Sequence, residues 1–109
     1  MDFEKIWNQI LCAATEEAFD VSTVPQNSRT PLWFKVYTKE AYLYVDNTPD
    51  NNPSVQLSGA RKITKDDFIN VAGYYERWKN GETHLRQEVR EQSRNTAYIF
   101  GLISQFSKA

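Results

Sequence analysis

The chain has 109 residues, 40% of them hydrophobic and 25% charged, with a net charge of −1. That length is one domain, and the composition is too apolar for a disordered segment. The single cysteine, Cys12, excludes an intrachain disulfide, and no window nears the roughly 18 consecutive apolar residues that span a bilayer.

The first residues lack the basic region and apolar run of a signal peptide, so a soluble, cytoplasmic domain with no membrane partner is expected. The small net charge hides an asymmetry: residues 1–60 carry four bases against eight acids, residues 61–109 nine bases against six acids. A basic half hints at nucleic acid or another acidic partner, and it equally suits solvated helix faces.

Phe3, Ile6, Trp7, Ile10, Leu11, Ala14 and Ala18 recur at helical spacing. They predict an N-terminal helix from about Asp2 to Phe19 with Asp2 as its N-cap. Residues 20–31, with Pro25, Asn27, Ser28 and Pro31, read as a loop. A β-hairpin is predicted over 32–46. Leu32, Phe34 and Val36 alternate with Trp33, Lys35 and Tyr37, and Ala41, Leu43 and Val45 alternate with Tyr42 and Tyr44, around a turn near Lys39-Glu40. That turn lacks Asn-Gly or Asp-Gly, which leaves the register open. Residues 47–53 read as an exposed loop, and Ser54 to Ser58 as a candidate third strand ended by Gly59.

Thr64 followed by Asp67 forms a short-armed capping box, and Ile63 with Phe68 a hydrophobic staple. The helix they start buries Phe68, Val71, Ala72, Tyr75 and Trp78 and stops at Asn80-Gly81, where glycine supplies the left-handed C′ residue. Beyond Gly81 two readings are open. Leu85, Val89, Gln92, Thr96, Ile99, Ile103 and Phe106 suit one helix of about 23 residues. Alternatively Ser93 starts a new helix, which gives a short helix, a bend and a terminal helix. The fold class expected is α+β: an N-terminal helix, a small antiparallel sheet of two or three strands, and two or three C-terminal helices.

No catalytic, cofactor or metal motif emerges. His84, the only histidine, stands beside Thr83 without a cysteine or acid pair, and reads as a solvated helix-start residue. Cys12 reads as a small helix residue. Glu16-Glu17 suits a solvent edge, and Asp66-Asp67 suits first-turn acids facing the helix dipole. There is no P-loop, dinucleotide fingerprint or nucleophile elbow. An enzyme is the least supported class.

Binding is better supported. Arg86, Arg90 and Arg94 step by four residues, a ridge that suits a phosphate backbone. With a bend at Ser93, the arrangement resembles a helix-turn-helix over about 25 residues, and Arg94, Asn95, Thr96 and Tyr98 take the place of groove contacts. A buried terminal helix with solvated arginines is the plain alternative.

Trp33, Lys35, Tyr37, Tyr42 and Tyr44 share one strand face, which could stack bases or line a pocket. The opposite face is also apolar, so packing on both sides would account for the aromatics equally well. The terminal helix is apolar around most of its circumference and contains Gly101, features that suit a homodimer formed through it. The expected function is a non-catalytic module, nucleic-acid-binding or regulatory, using Arg86, Arg90, Arg94 and Asn95. The alternative is a small-ligand or protein-interaction module using Trp33, Tyr37, Tyr42 and Tyr44.

Overall fold

The computed structural model describes residues 2–25, 30–82 and 84–107. Asn27 and Ser28 of the expected loop, and Thr83 beside His84, lie outside the described residues. Helix α1 spans Phe3–Glu16 and is capped as expected, with the Lys5 amide donating to the Asp2 carboxylate at 3.0 Å. It buries Ile6, Trp7, Ile10 and Ala14.

The helix ends two residues before Ala18 because Glu17 is extended (φ −162°, ψ 140°). Strand β1 (Phe19–Ser22) follows, taking the last residue of the expected helix and the first three of the expected loop. Phe19 and Val21 alternate with Asp20 and Ser22, but four residues adjoining a helical stripe are too few to show a period of two.

Strands β2 (Trp33–Lys39), β3 (Tyr42–Asp46) and β4 (Arg61–Ile63) complete an antiparallel sheet in the order β1-β2-β3-β4. The sheet thus has four strands, not two or three. The β2–β3 turn is Glu40-Ala41, both with positive φ (55° and 68°). That geometry suits the twist of a two-residue hairpin even without glycine, and it places Ala41 in the turn instead of the strand. The register pairs Lys35 with Asp46, Tyr37 with Tyr44, and Lys39 with Tyr42.

The segment after β3 forms no strand over Ser54–Ser58. Ser54 makes only an isolated bridge to Trp33. β4 comes later, pairing Leu43 with Ile63. The side-chain amide of Asn47 closes the intervening loop, donating to the Leu57 carbonyl (2.8 Å) and accepting from its amide (2.7 Å). Thr48 and Asn51 both donate to Asp20, which ties the loop to β1.

Val21, Phe34, Val36, Leu43, Val45 and Ile63 form the inner face and are buried. Helix α1 packs on this face, and helix α2 (Lys65–Lys79) packs against α1. At the start of α2 the Thr64 hydroxyl accepts from the Asp67 amide at 3.1 Å. Phe68, Val71, Ala72, Tyr75 and Trp78 are buried as the spacing predicts, and Gly81 (φ 115°) follows the Asn80 cap.

The chain then bends at Ser93, which is extended, so α3 (Leu85–Gln92) and α4 (Thr96–Phe106) are two helices. Asp67 pins the corner. Its Oδ2 accepts from Ser93 Oγ at 3.0 Å and from Asn95 Nδ2 at 3.1 Å.

Helix α4 is enclosed. Thr96 and every residue from Tyr98 to Ile103 are buried, between the inner face and α2. A Cβ on Gly101 would stand 2.7 Å from the Ser22 carbonyl oxygen. The surplus apolar circumference that suggests a dimer through this helix is therefore covered within the subunit. Residues of α1, α2 and α4 join the inner strand face in one core. No described helix packs on the outer face, so the sheet is not covered on both sides. Among the described residues, no helix is long and apolar enough to cross a membrane.

Candidate functional site

The corner between α3 and α4 forms a cleft of about 510 Å³ lined by Leu32, Arg86, Arg90, Ser93, Arg94, Thr96, Ala97 and Tyr98. A short helix, an extended residue and a second helix place its three arginines together. The i, i+4 step sets Arg86 and Arg90 on one side of α3, and the turn at Ser93 brings Arg94 around to them.

Arg86 differs from its neighbours. It is only 8% exposed, whereas Arg90 and Arg94 are exposed. Its guanidinium lies 5.0 Å from the Trp78 ring centre and 5.4 Å from that of Phe100, and it donates to the Val24 carbonyl. Ring faces attract a cation and exclude water from it. Burial, and secondarily the charge of Arg90, lower its pKa. The charge acting on this buried cation is thus another cation.

Among the described residues the ion pairs, Lys35 with Asp50, Lys65 with Glu4 and Arg77 with Glu82, lie elsewhere. A guanidinium has five N–H donors, so Arg86 retains donors beyond the one given to Val24. The Trp78 Nε1 proton, on the ring against which Arg86 lies, is buried without a hydrogen-bond partner among the described residues. Arg61 stands at the rim, donating to the Arg94 carbonyl at 3.2 Å and lying 5.7 Å from the Tyr98 ring centre.

Of the residues predicted for nucleic acid, Arg86, Arg90 and Arg94 come together, but Asn95 does not join them. Its amide is held by Asp67. The bend of a helix-turn-helix is present, yet α4 has no free polar face to lay in a groove. Arg61, Trp78 and Phe100 were not among the candidates. They come from three other elements, and no local spacing signals the approach of Trp78 and Phe100 to Arg86 or of Arg61 to Arg94.

Trp33, Tyr37, Tyr42 and Tyr44 share the outer face of the sheet. Tyr37 and Tyr44 stack with ring centres 5.7 Å apart and planes 19° apart. Lys62 Nζ lies 3.6 Å above the Tyr42 ring. Tyr42 is 50% exposed, and the other three are half-buried. Burial first, then the charge and hydrogen bond of Asp46, raise the pKa of the Tyr37 hydroxyl.

Cys12 and His84 are exposed. Among the described residues no group of three His, Cys, Asp or Glu side chains could hold a metal ion. Compared with protein-family models, curated proteins and solved structures, the chain matches none.

Proposed function

We propose that this chain is a non-catalytic binding module whose arginine cleft grips the phosphate groups of a nucleic acid. The observation that carries this reading is Arg86, a guanidinium only 8% exposed that shares its cleft with Arg90 and Arg94 and, among the described residues, pairs with no carboxylate. Burying an ion costs several kcal/mol unless it is compensated. The Val24 carbonyl and two aromatic faces compensate in part, and a second cation raises the cost again. An anion entering the cleft would relieve both effects.

Guanidinium groups match phosphate oxygens in two-pronged geometry. The N-terminus of the 11-residue helix α4 adds favourable dipole potential at the same corner. Since α4 is enclosed, contact would be made to the backbone and not to base edges. Such binding is indifferent to sequence and weakens steeply with salt.

The test is fluorescence anisotropy with labelled oligonucleotides across a salt series. Arg90→Ala combined with Arg94→Ala should weaken binding to all sequences alike and reduce the log–log salt slope by about two. An unchanged slope, or no binding at low salt, would sink the proposal.

A second reading is favoured by the size of the cleft, which lies within the roughly 300–1,000 Å³ typical of small-ligand pockets. Under it the occupant is a free phosphorylated small molecule. Saturable binding of a phosphate monoester by calorimetry, lost in the same double variant and without oligonucleotide affinity, would select it.

A further inference from the structure

The outer face of the sheet is the largest feature that the cleft leaves unexplained. It carries Trp33, Tyr37, Tyr42 and Tyr44; no described helix packs on it, and the 48–51 loop reaches its β1 side through Asp20 and Lys35. Its charges have both signs, Lys35, Lys39 and Lys62 against Asp20 and Asp46, so it is not the field of a polyanion groove. The strand register orders these groups in a particular way. Across β2 and β3, Lys35 stands opposite Asp46, Tyr37 opposite Tyr44, and Lys39 opposite Tyr42. Each of these three β2 residues therefore has, at the same level on β3, the type of group it would attract: a carboxylate for a lysine, a ring for a ring, and a ring for a second lysine.

We propose that this face pairs with the same face of a second copy, about a two-fold axis running parallel to the strands between β2 and β3. Such an axis keeps each residue at its level and exchanges the two strands. Lys35 then exchanges Asp50 of its own subunit for Asp46 of the copy, Tyr37 meets Tyr44, and Lys39 meets the Tyr42 ring on the side away from Lys62.

Self-complementarity of this kind is what an isologous interface requires. Two sheets packed face to face lie about 10 Å apart with their strands within about 30° of each other, a spacing that aromatic and lysine side chains fill. An axis across the strands would instead set Lys39 over Lys35 of the copy, which is repulsive. The pairing does not rest on the arginine cleft, which lies at the α3–α4 corner, away from the outer residues of β2 and β3.

The experiment is sedimentation equilibrium on the whole chain. The parent should show a concentration-dependent mass approaching twice the 12.7 kDa of the monomer. Tyr42→Lys, at a half-exposed position where folding is insensitive, should weaken association by about tenfold or more.

The decisive arm uses Lys35→Asp and Asp46→Lys. Each variant alone places like charges across the axis and should be monomeric. An equimolar mixture of the two should form a heterodimer, since every crossing contact then joins opposite charges. Rearrangement within one subunit cannot produce an effect that appears only on mixing. Thermal melts of each variant confirm that it is folded.

A monomeric parent at all concentrations overturns the proposal. So does a dimer indifferent to Tyr42→Lys, or a mixture that stays monomeric while both variants are folded. Tyr42-dependent binding of a single-stranded oligonucleotide to a monomeric parent would overturn it in favour of base stacking.

Discussion

The two faces of the sheet use the same strands and both carry aromatic residues, yet those residues have different fates. Inward, Phe34 is fully buried and meets Tyr98 edge-on, with ring centres 5.2 Å apart and planes 69° apart. Outward, Tyr37 and Tyr44 stack flat against each other, and Lys62 caps Tyr42. The difference lies in the company each set keeps. Phe34 shares its face with Val21, Val36, Val45 and Ile63, whereas the outer aromatics alternate with Lys35, Lys39 and Asp46. An aromatic residue interleaved with charges faces solvent or a partner, because those charges cannot follow it into a core without losing their hydration.

If that contrast is right, the largest effect comes from the inner face. Phe34→Ala should cost about 3–5 kcal/mol in urea unfolding; a loss under about 1 kcal/mol would mean that the inner face is not close-packed.

Gly101→Ala sharpens the same point from the helix side. The added Cβ would approach the Ser22 oxygen to 2.7 Å and the Phe34 ring to 3.3 Å. Overpacking costs about 1–3 kcal/mol, more than the helix propensity that alanine gains. A stabilised variant would show that α4 can withdraw from β1.

Tyr42→Thr, on the outer face, should leave the stability of dilute protein within about 0.5 kcal/mol of the parent. A large loss would make the outer face structural.

The smallest effect is one of pH. The folded state raises the pKa of the Tyr37 hydroxyl, so it favours the neutral form. That contribution is complete below the ordinary tyrosine pKa near 10 and is lost as the pH rises through the raised value. Tyr37→Phe should flatten the alkaline decline in urea midpoint; an identical decline in both proteins would place its cause elsewhere.

How much of this was legible in the sequence depended on how local its cause was. Helix α2 could be read from end to end, because its cap, its staple and its terminating glycine lie beside it in the chain. The hairpin faces were equally plain from alternation.

Strand β4 was hidden. Of Arg61, Lys62 and Ile63 only one is apolar, and the segment is extended because β3 offers it a ladder. The bend at Ser93 was undecided in sequence because its lock, Asp67, lies 26 residues away from Ser93. At the site, the four-residue step identified the arginines. It could not show that Arg86 would turn inward, since that depends on Trp78 and Phe100 from two other helices. The same spacing pointed to Asn95 as a base contact, where its amide instead serves the corner.

Arg86 also has a bearing on protein engineering. Its guanidinium is at once a wall of the cleft and a lid over Trp78 and Phe100. The site therefore cannot be transplanted as an α3–α4 peptide or a grafted loop. A scaffold receiving it must also bring two ring faces and a backbone carbonyl to meet the same cation. Replacing Arg86 by methionine would spare the desolvation of a buried charge, and a screen for heat resistance alone would favour that exchange while emptying the cleft of its deepest donor. Selection for durability and selection for binding pull this one position in opposite directions.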